Sequence, residues 1–175
     1  MKTSKTSKKG KCDMKKLFET SDGEKYSVAV TTYANNKLAL AITLTNEEEE
    51  CSHVLTVNLG KYYRDDTFIP MGSSFIDVNA FWYGDEEIVK FLDEISTPHT
   101  VFGTEAVKVS GFVEYPLRDF NLEALAEYDK DGVEEYKKDY KEALIAERKK
   151  ITERSSMGWV KMTEGLEEEL DDPER

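Results

Sequence analysis

The sequence predicts an α+β fold: an antiparallel β-meander sheet with a packed helix, followed by a C-terminal helical extension. Three observations carry it. Between Tyr26 and Gly60, apolar residues recur at every second position in successive short runs, the period of a strand with one buried face. Between the first two runs stands the pair Asn35-Asn36, which tolerates the positive φ of a tight hairpin turn. From Asn121 onward the apolar spacing changes to three and four, that of an amphipathic helix.

Each element follows in order. Residues 1–16 (MKTSKTSKKGKCDMKK) offer almost nothing to bury, so a disordered basic tail is expected. Val28, Val30 and Thr32 alternate with Ser27, Ala29 and Thr31 in the first strand; Leu38, Leu40, Ile42 and Leu44 with Lys37, Ala39, Ala41 and Thr43 in the second; Leu55, Val57 and Leu59 with Val54, Thr56 and Asn58 in the third. Glu47, Glu48, Glu49 and Glu50 join the second and third strands. They are expected in a solvated turn, because burying an unpaired carboxylate is prohibitive. Lys61 to Asp66 form a loop with an exposed aromatic pair, Tyr62 and Tyr63. Ser74 to Asn79 read as a fourth strand.

Gly84-Asp85-Glu86-Glu87 introduces a helix whose apolar residues Ile88, Phe91, Leu92 and Ile95 form a single stripe. Its leading acids suit the positive end of the helix dipole. Pro98 ends that element, and Val107 to Val113 read as a further strand in which Gly111 marks a bulge or a close backbone approach. Tyr115-Pro116 is expected to break its ladder. Asn121 is a fitting N-cap for a helix from Leu122 to Tyr128. After Asp131-Gly132 a long helix presents Val133, Tyr136, Tyr140, Ala143, Leu144 and Ile151 on one seam, expected to dock on the sheet. Beyond Ser155-Ser156, Gly158 to Met162 are expected to tuck back onto the body, and Glu164 to Arg175 to be a disordered acidic tail. The divisions expected are a tail over 1–16, a sheet domain over 17–120, a helical extension over 121–155 and an acidic tail over 156–175.

Charge restricts the function classes. The whole chain of 175 residues carries a formal net charge of −12. Residues 1–16 hold seven lysines and one aspartate, a net of +6, so the remainder carries −18. A body of that sign repels phosphate backbones, and direct nucleic-acid binding by it is not expected. Cys12 and Cys51 have no metal-ligand spacing around them and fit a reduced cytoplasmic protein. No apolar run reaches the length of about 20 residues needed to span a bilayer, and the N-terminus lacks the apolar stretch of a signal peptide.

No glycine-rich phosphate loop, Gly-x-Ser-x-Gly, Cys-x-x-Cys or His-x-x-x-His motif occurs. His53 and His99 stand without partners at ligand spacing, as structural or solvated histidines do. Asp65, Asp66, Asp77, Glu105 and Glu114 are acids of the type that binds a hard cation for nuclease chemistry, although so acidic a chain produces such sets by chance. No cofactor is expected.

Tyr33-Ala34-Asn35-Asn36-Lys37-Leu38-Ala39-Leu40, Leu55-Thr56-Val57-Asn58-Leu59, Phe75-Ile76-Asp77-Val78-Asn79 and Ser110-Gly111-Phe112-Val113-Glu114-Tyr115-Pro116-Leu117 with Phe120 resemble a family of small uncharacterised proteins. That family is known only as a domain of unknown function and is carried by bacterial phages and conjugative elements. The resemblance covers about residues 24–122. It supplies no catalytic residues, but its setting implies selection to survive host defence. The expectation is a non-catalytic acidic protein that inhibits a basic host nuclease of the CRISPR or restriction type, with its carboxylates competing for the channel that holds nucleic acid. The expected contacts are Glu47, Glu48, Glu49, Glu50, Asp65, Asp66, Asp85, Glu86 and Glu87, with Tyr62 and Tyr63 as aromatic anchors. One alternative is a metal-dependent nuclease acting on guide RNA or DNA through Asp77 and another acid. The other is a DNA-maintenance accessory protein tethered by its lysine tail.

Overall fold

The computed structural model describes residues 15–64 and 67–170, and side chains within them as far as Ser156. The first four strands are β1 (Leu17–Glu19), β2 (Lys25–Tyr33), β3 (Asn36–Asn46) and β4 (Cys51–Val54), antiparallel neighbours in chain order. This is the expected meander. Its central turn differs from the expectation: Ala34-Asn35 closes the hairpin, Asn36 already lies in β3 and pairs with Tyr33, and neither asparagine takes a positive φ. Asn36 also donates from Nδ2 to Asn58 Oδ1 and to the Gly60 carbonyl, both at 2.8 Å. The turn is thereby tied to the loop ahead of Tyr62.

The third predicted run divides. β4 pairs with β3, whereas β5 (Thr56–Val57) pairs with β8 (Ser73–Ile76) in a second sheet. Leu55, between them, donates its N–H to the Ile42 carbonyl of the first sheet at 2.8 Å and accepts from Asp77 N beside the second at 3.1 Å. The chain therefore changes sheets at one residue, which a period of two cannot reveal.

β6 (Tyr62–Arg64) and β7 (Thr67–Phe68) form a short ladder of their own. A 3-10 turn over Phe81–Gly84 buries Trp82, whose indole N–H donates to the Val54 carbonyl at 2.9 Å. Helix α1 (Glu86–Ile95) buries the four apolar residues predicted, Ile88, Phe91, Leu92 and Ile95. Each such side chain contributes about 1.5–3 kcal/mol of transfer free energy.

β9 (Ser96–Pro98), β10 (Thr100–Val101), β11 (Thr104–Glu105), β12 (Val107–Ser110) and β13 (Val113–Phe120) follow. The second sheet has the order β12-β13-β8-β5, with β9 also on β13. Two expectations are corrected here. Gly111, with φ +65°, is no bulge but the first central residue of the turn joining β12 and β13, where a type II′ turn wants glycine. Pro116 does not break the ladder but lies within β13 opposite Val107.

Asn121 caps α2 (Leu122–Ala126), accepting from Glu123 N and Ala124 N. Helix α3 (Lys130–Leu170) then buries Val133, Tyr136 and Tyr140 against the meander with Ala143 and Leu144 partly buried beside them, so the seam docks as expected as far as Leu144, whereas Ile151 is exposed. Tyr136 Oη accepts from Gly72 N at 2.7 Å, and Tyr140 Oη donates to the Ile69 carbonyl at 2.8 Å. The expected end at Ser155-Ser156 is corrected: both residues are helical, their hydroxyls bonded to the Ile151 and Thr152 carbonyls. Gly158 to Met162, expected to tuck back, and Glu164 to Leu170, expected to be disordered, instead continue the same helical backbone. The part of the acidic tail beyond residue 170 lies outside the described residues. So does the basic tail before Lys15, but Lys15 and Lys16 are ion-paired to Asp129 and Glu127 rather than free.

Two apolar clusters meet at β3. Leu38, Leu40, Ile42 and Leu44 face the larger one with α1 and α3, while Ala39 faces the smaller one with Ile69, Phe75 and Leu117.

Candidate functional site

Strand register decides where the acids gather. Ser27 of β2 pairs with both Leu17 and Thr45, so the β1–β2 and β3–β4 turns leave the same end of the meander. Asp22 and Glu24 belong to the first turn and Glu47, Glu48, Glu49 and Glu50 to the second. The start of α1 reaches the same end, because Ser21 Oγ donates to Glu87 Oε1 at 3.1 Å. Three segments remote in sequence thus form one acidic rim. Lys25 lies within it, lining a shallow cleft with Leu17, Thr45, Glu47 and Glu48.

Local structure fixes the carboxylates. Asn46 is buried and accepts from Glu48 N and Glu49 N at 3.0 and 3.3 Å. Glu50 closes the turn in the left-handed region, φ +53°, leaving all four glutamates exposed. Thr20 donates its hydroxyl to Asp22, and that bond holds the Asp22 carboxyl below its ordinary range. Glu24 accepts from Tyr26 Oη at 2.7 Å. Burial, reinforced by that carboxylate, pushes the Tyr26 phenol well above its usual value.

The remaining acids differ in role. Asp85 is the N-cap of α1, accepting from Glu87 N at 2.9 Å and Ile88 N at 3.3 Å. Its carboxylate is committed to the helix. Glu86 is exposed, and Glu87 also pairs with Lys90 at 3.4 Å. Asp65 and Asp66 lie outside the described residues.

The tyrosines stand apart. Their loop is tied to the far turn of the β2–β3 hairpin through Asn58 and Gly60, roughly 30 Å along β3 from the acidic rim. Both are half-buried rather than exposed. Tyr62 stacks on Phe68 with centroids 4.8 Å apart, and Tyr63 meets His99 edge-on at 5.3 Å. His99 Nδ1 in turn lies 2.9 Å from the Asp119 carboxylate.

Asp77, Glu105 and Glu114 are not brought together: among the described residues no three His, Cys, Asp or Glu side chains gather in a metal-binding group. Among them, too, no helix is long and apolar enough to cross a membrane. Asp22, Glu24 and Lys25 were missed by sequence reasoning. The Asp22-Gly23 dipeptide was the available signal, a turn marker just ahead of the first alternating run.

Fold and site define a small α+β protein whose distinguishing surface is a carboxylate rim at one end of a β-meander. The chain belongs to a family known as a domain of unknown function, DUF4313, whose model matches residues 27–140. That span runs past the resemblance read over residues 24–122 and stops at Tyr140, a tyrosine that α3 buries in the core. No curated protein and no solved structure matches the chain.

Proposed function

We propose that this protein is a non-catalytic inhibitor, carried by a phage or conjugative element, that binds a basic host nuclease of the CRISPR or restriction type in the host cytoplasm. One observation carries the reading: acids from two turns and from the start of α1 lie at one end of the meander. Closely spaced, exposed carboxylates present the kind of charge that a lysine- and arginine-lined nucleic-acid channel holds. Glu47 to Glu50 supply the contacts, with Asp22, Glu24 and Glu86 beside them. Asp85 acts through the helix it caps.

The test is a pull-down from host lysate with the full chain as bait, at low and high salt, beside a variant with Glu47 to Glu50 replaced by lysine. Recovery of a basic nuclease that is lost with rising salt, and lost in the variant, is the expected result. Equal retention by the variant removes the rim from the account. Recovery of nucleic acid with no protein overturns the inhibitor reading.

A further inference from the structure

Among the described residues, Phe81, Phe102 and Phe112 are the most exposed large apolar side chains, at 97%, 96% and 107% of full exposure. Two of them occupy hairpin tips along one sheet edge. Phe102 joins β10 to β11 with φ +52°, and Gly103 follows at +79°. Consecutive positive φ values make a type I′ turn, whose first position favours asparagine, aspartate or glycine. A bulky side chain there is strained and points at solvent, a combination associated with function more than with folding. Phe112 stands at the second tip, after Gly111.

β12 runs between these tips and is the terminal strand of its sheet. Val107 and Val109 project from it, 46% and 62% exposed. Lysine commonly guards such an edge, but Lys108 turns inward, its Nζ donating to the Leu59 and Tyr62 carbonyls at 2.7 and 2.8 Å. A hairpin closed by two residues places ladder bonds at Ser110–Val113 and Lys108–Tyr115. The backbone groups of Val107 and Val109 therefore point outward. Pro116, opposite Val107, is consistent with this, since its nitrogen faces away from β12.

The surroundings select an occupant. Glu105 precedes the strand and Glu114 lies opposite Val109, both exposed. A chain of net charge −12 repels nucleic acid, anionic lipid and a second copy of itself. We infer that β12 is a docking edge for an extended, lysine- or arginine-bearing segment of a partner protein. That segment adds as a strand, setting its apolar side chains against Phe102, Val109 and Phe112 and its cations near Glu105 and Glu114. The inference rests on the basic partner proposed above.

The full chain, labelled with 15N, is titrated with an alternating Lys-Val decapeptide, and with a Glu-Val decapeptide as control. The largest amide shifts are expected at Val107 and Val109, and only with the basic peptide. Phe102→Asn combined with Phe112→Asn is expected to weaken binding about tenfold, the loss of an aromatic anchor; asparagine suits the left-handed turn, so the hairpin persists. Val109→Pro removes the outward N–H while sparing the inner ladder, and abolishes binding. Shifts confined to Glu47 to Glu50, affinity unchanged in both variants, or a concentration-dependent dimer that Val109→Pro dissolves would each overturn the inference. In the lysate experiment, a nuclease retained equally by Val109→Pro removes the docking edge and leaves the inhibitor. Peptide binding at β12 with no nuclease recovered does the reverse.

Discussion

The Asp129 carboxylate accepts the backbone N–H of Val30 at 2.9 Å, across 99 residues of sequence. Its other oxygen takes Gly132 N and Lys15 Nζ, each at 3.3 Å. One side chain thus caps the first turn of α3 and fastens that helix to β2. Burial alone would raise the Asp129 carboxyl, but the bonds from Val30, Gly132 and Lys15 outweigh it and hold it below its usual range.

Asp129→Ala is expected to destabilise the protein by about 3 kcal/mol, because it strands the buried Val30 N–H and removes a helix cap together. Asp129→Asn keeps an acceptor and is expected to cost about 1 kcal/mol. Urea unfolding monitored by far-UV circular dichroism measures both. Equal losses would mean that charge, not hydrogen bonding, is what matters here.

Gly132→Ala runs against helix propensity. In an exposed helix the change gains about 1 kcal/mol, but here an added Cβ collides with the Asp129 carboxylate and the Val30 carbonyl. The expected outcome is a lowered Tm with the Asp129–Val30 bond displaced. A raised Tm would show that β2 and α3 separate at little cost.

Glu50→Gly is expected to stabilise by about 0.5 kcal/mol, since a side chain at φ +53° carries a left-handed penalty that glycine avoids, offset in part by unfolded-chain entropy. Thermal melts test it directly. The same variant retains Glu47 to Glu49, so partner binding should fall far less than in the fourfold lysine variant.

Stability should fall at both extremes of pH. Burial raises the Tyr136 phenol well above its ordinary value, so its contribution is complete below the unfolded value of about 10 and is lost as pH climbs from there toward the folded value. Asp129 is depressed, so its contribution is complete above about 3.9 and is lost as pH drops through the folded value. Tyr136→Phe should make the alkaline limb shallower, with Tyr26 keeping its own share, and leave the acid limb unchanged; an unaltered alkaline limb would clear Tyr136 of the effect.

How much the sequence disclosed depended on the range of each interaction. Period and capping are local, so β2, β3, α1 and the Asn121 cap of α2 were legible, whereas Asp85, expected among the partner contacts, is spent on capping α1. The change of sheet at Leu55 was not, because alternation describes one strand's faces and not its neighbours. Gly111 and Pro116 were misread for a related reason: each marks a turn or an irregularity, and only the pairing of β12 with β13 shows which. At the rim, Glu47 to Glu50 announced themselves by density. Their union with Asp22, Glu24 and Glu87 depends on strand register and on the Ser21–Glu87 contact, which no spacing along the chain encodes.

Leu55 has a consequence for how the molecule comes apart. Because its N–H is held by one sheet and its carbonyl beside the other, and its side chain is fully buried, opening either sheet at this point disturbs a residue that the other also holds. Two apolar clusters that look separable are thereby expected to unfold together. The Leu55 amide should therefore exchange with deuterium only through global unfolding, at a rate that reports the stability of the whole protein.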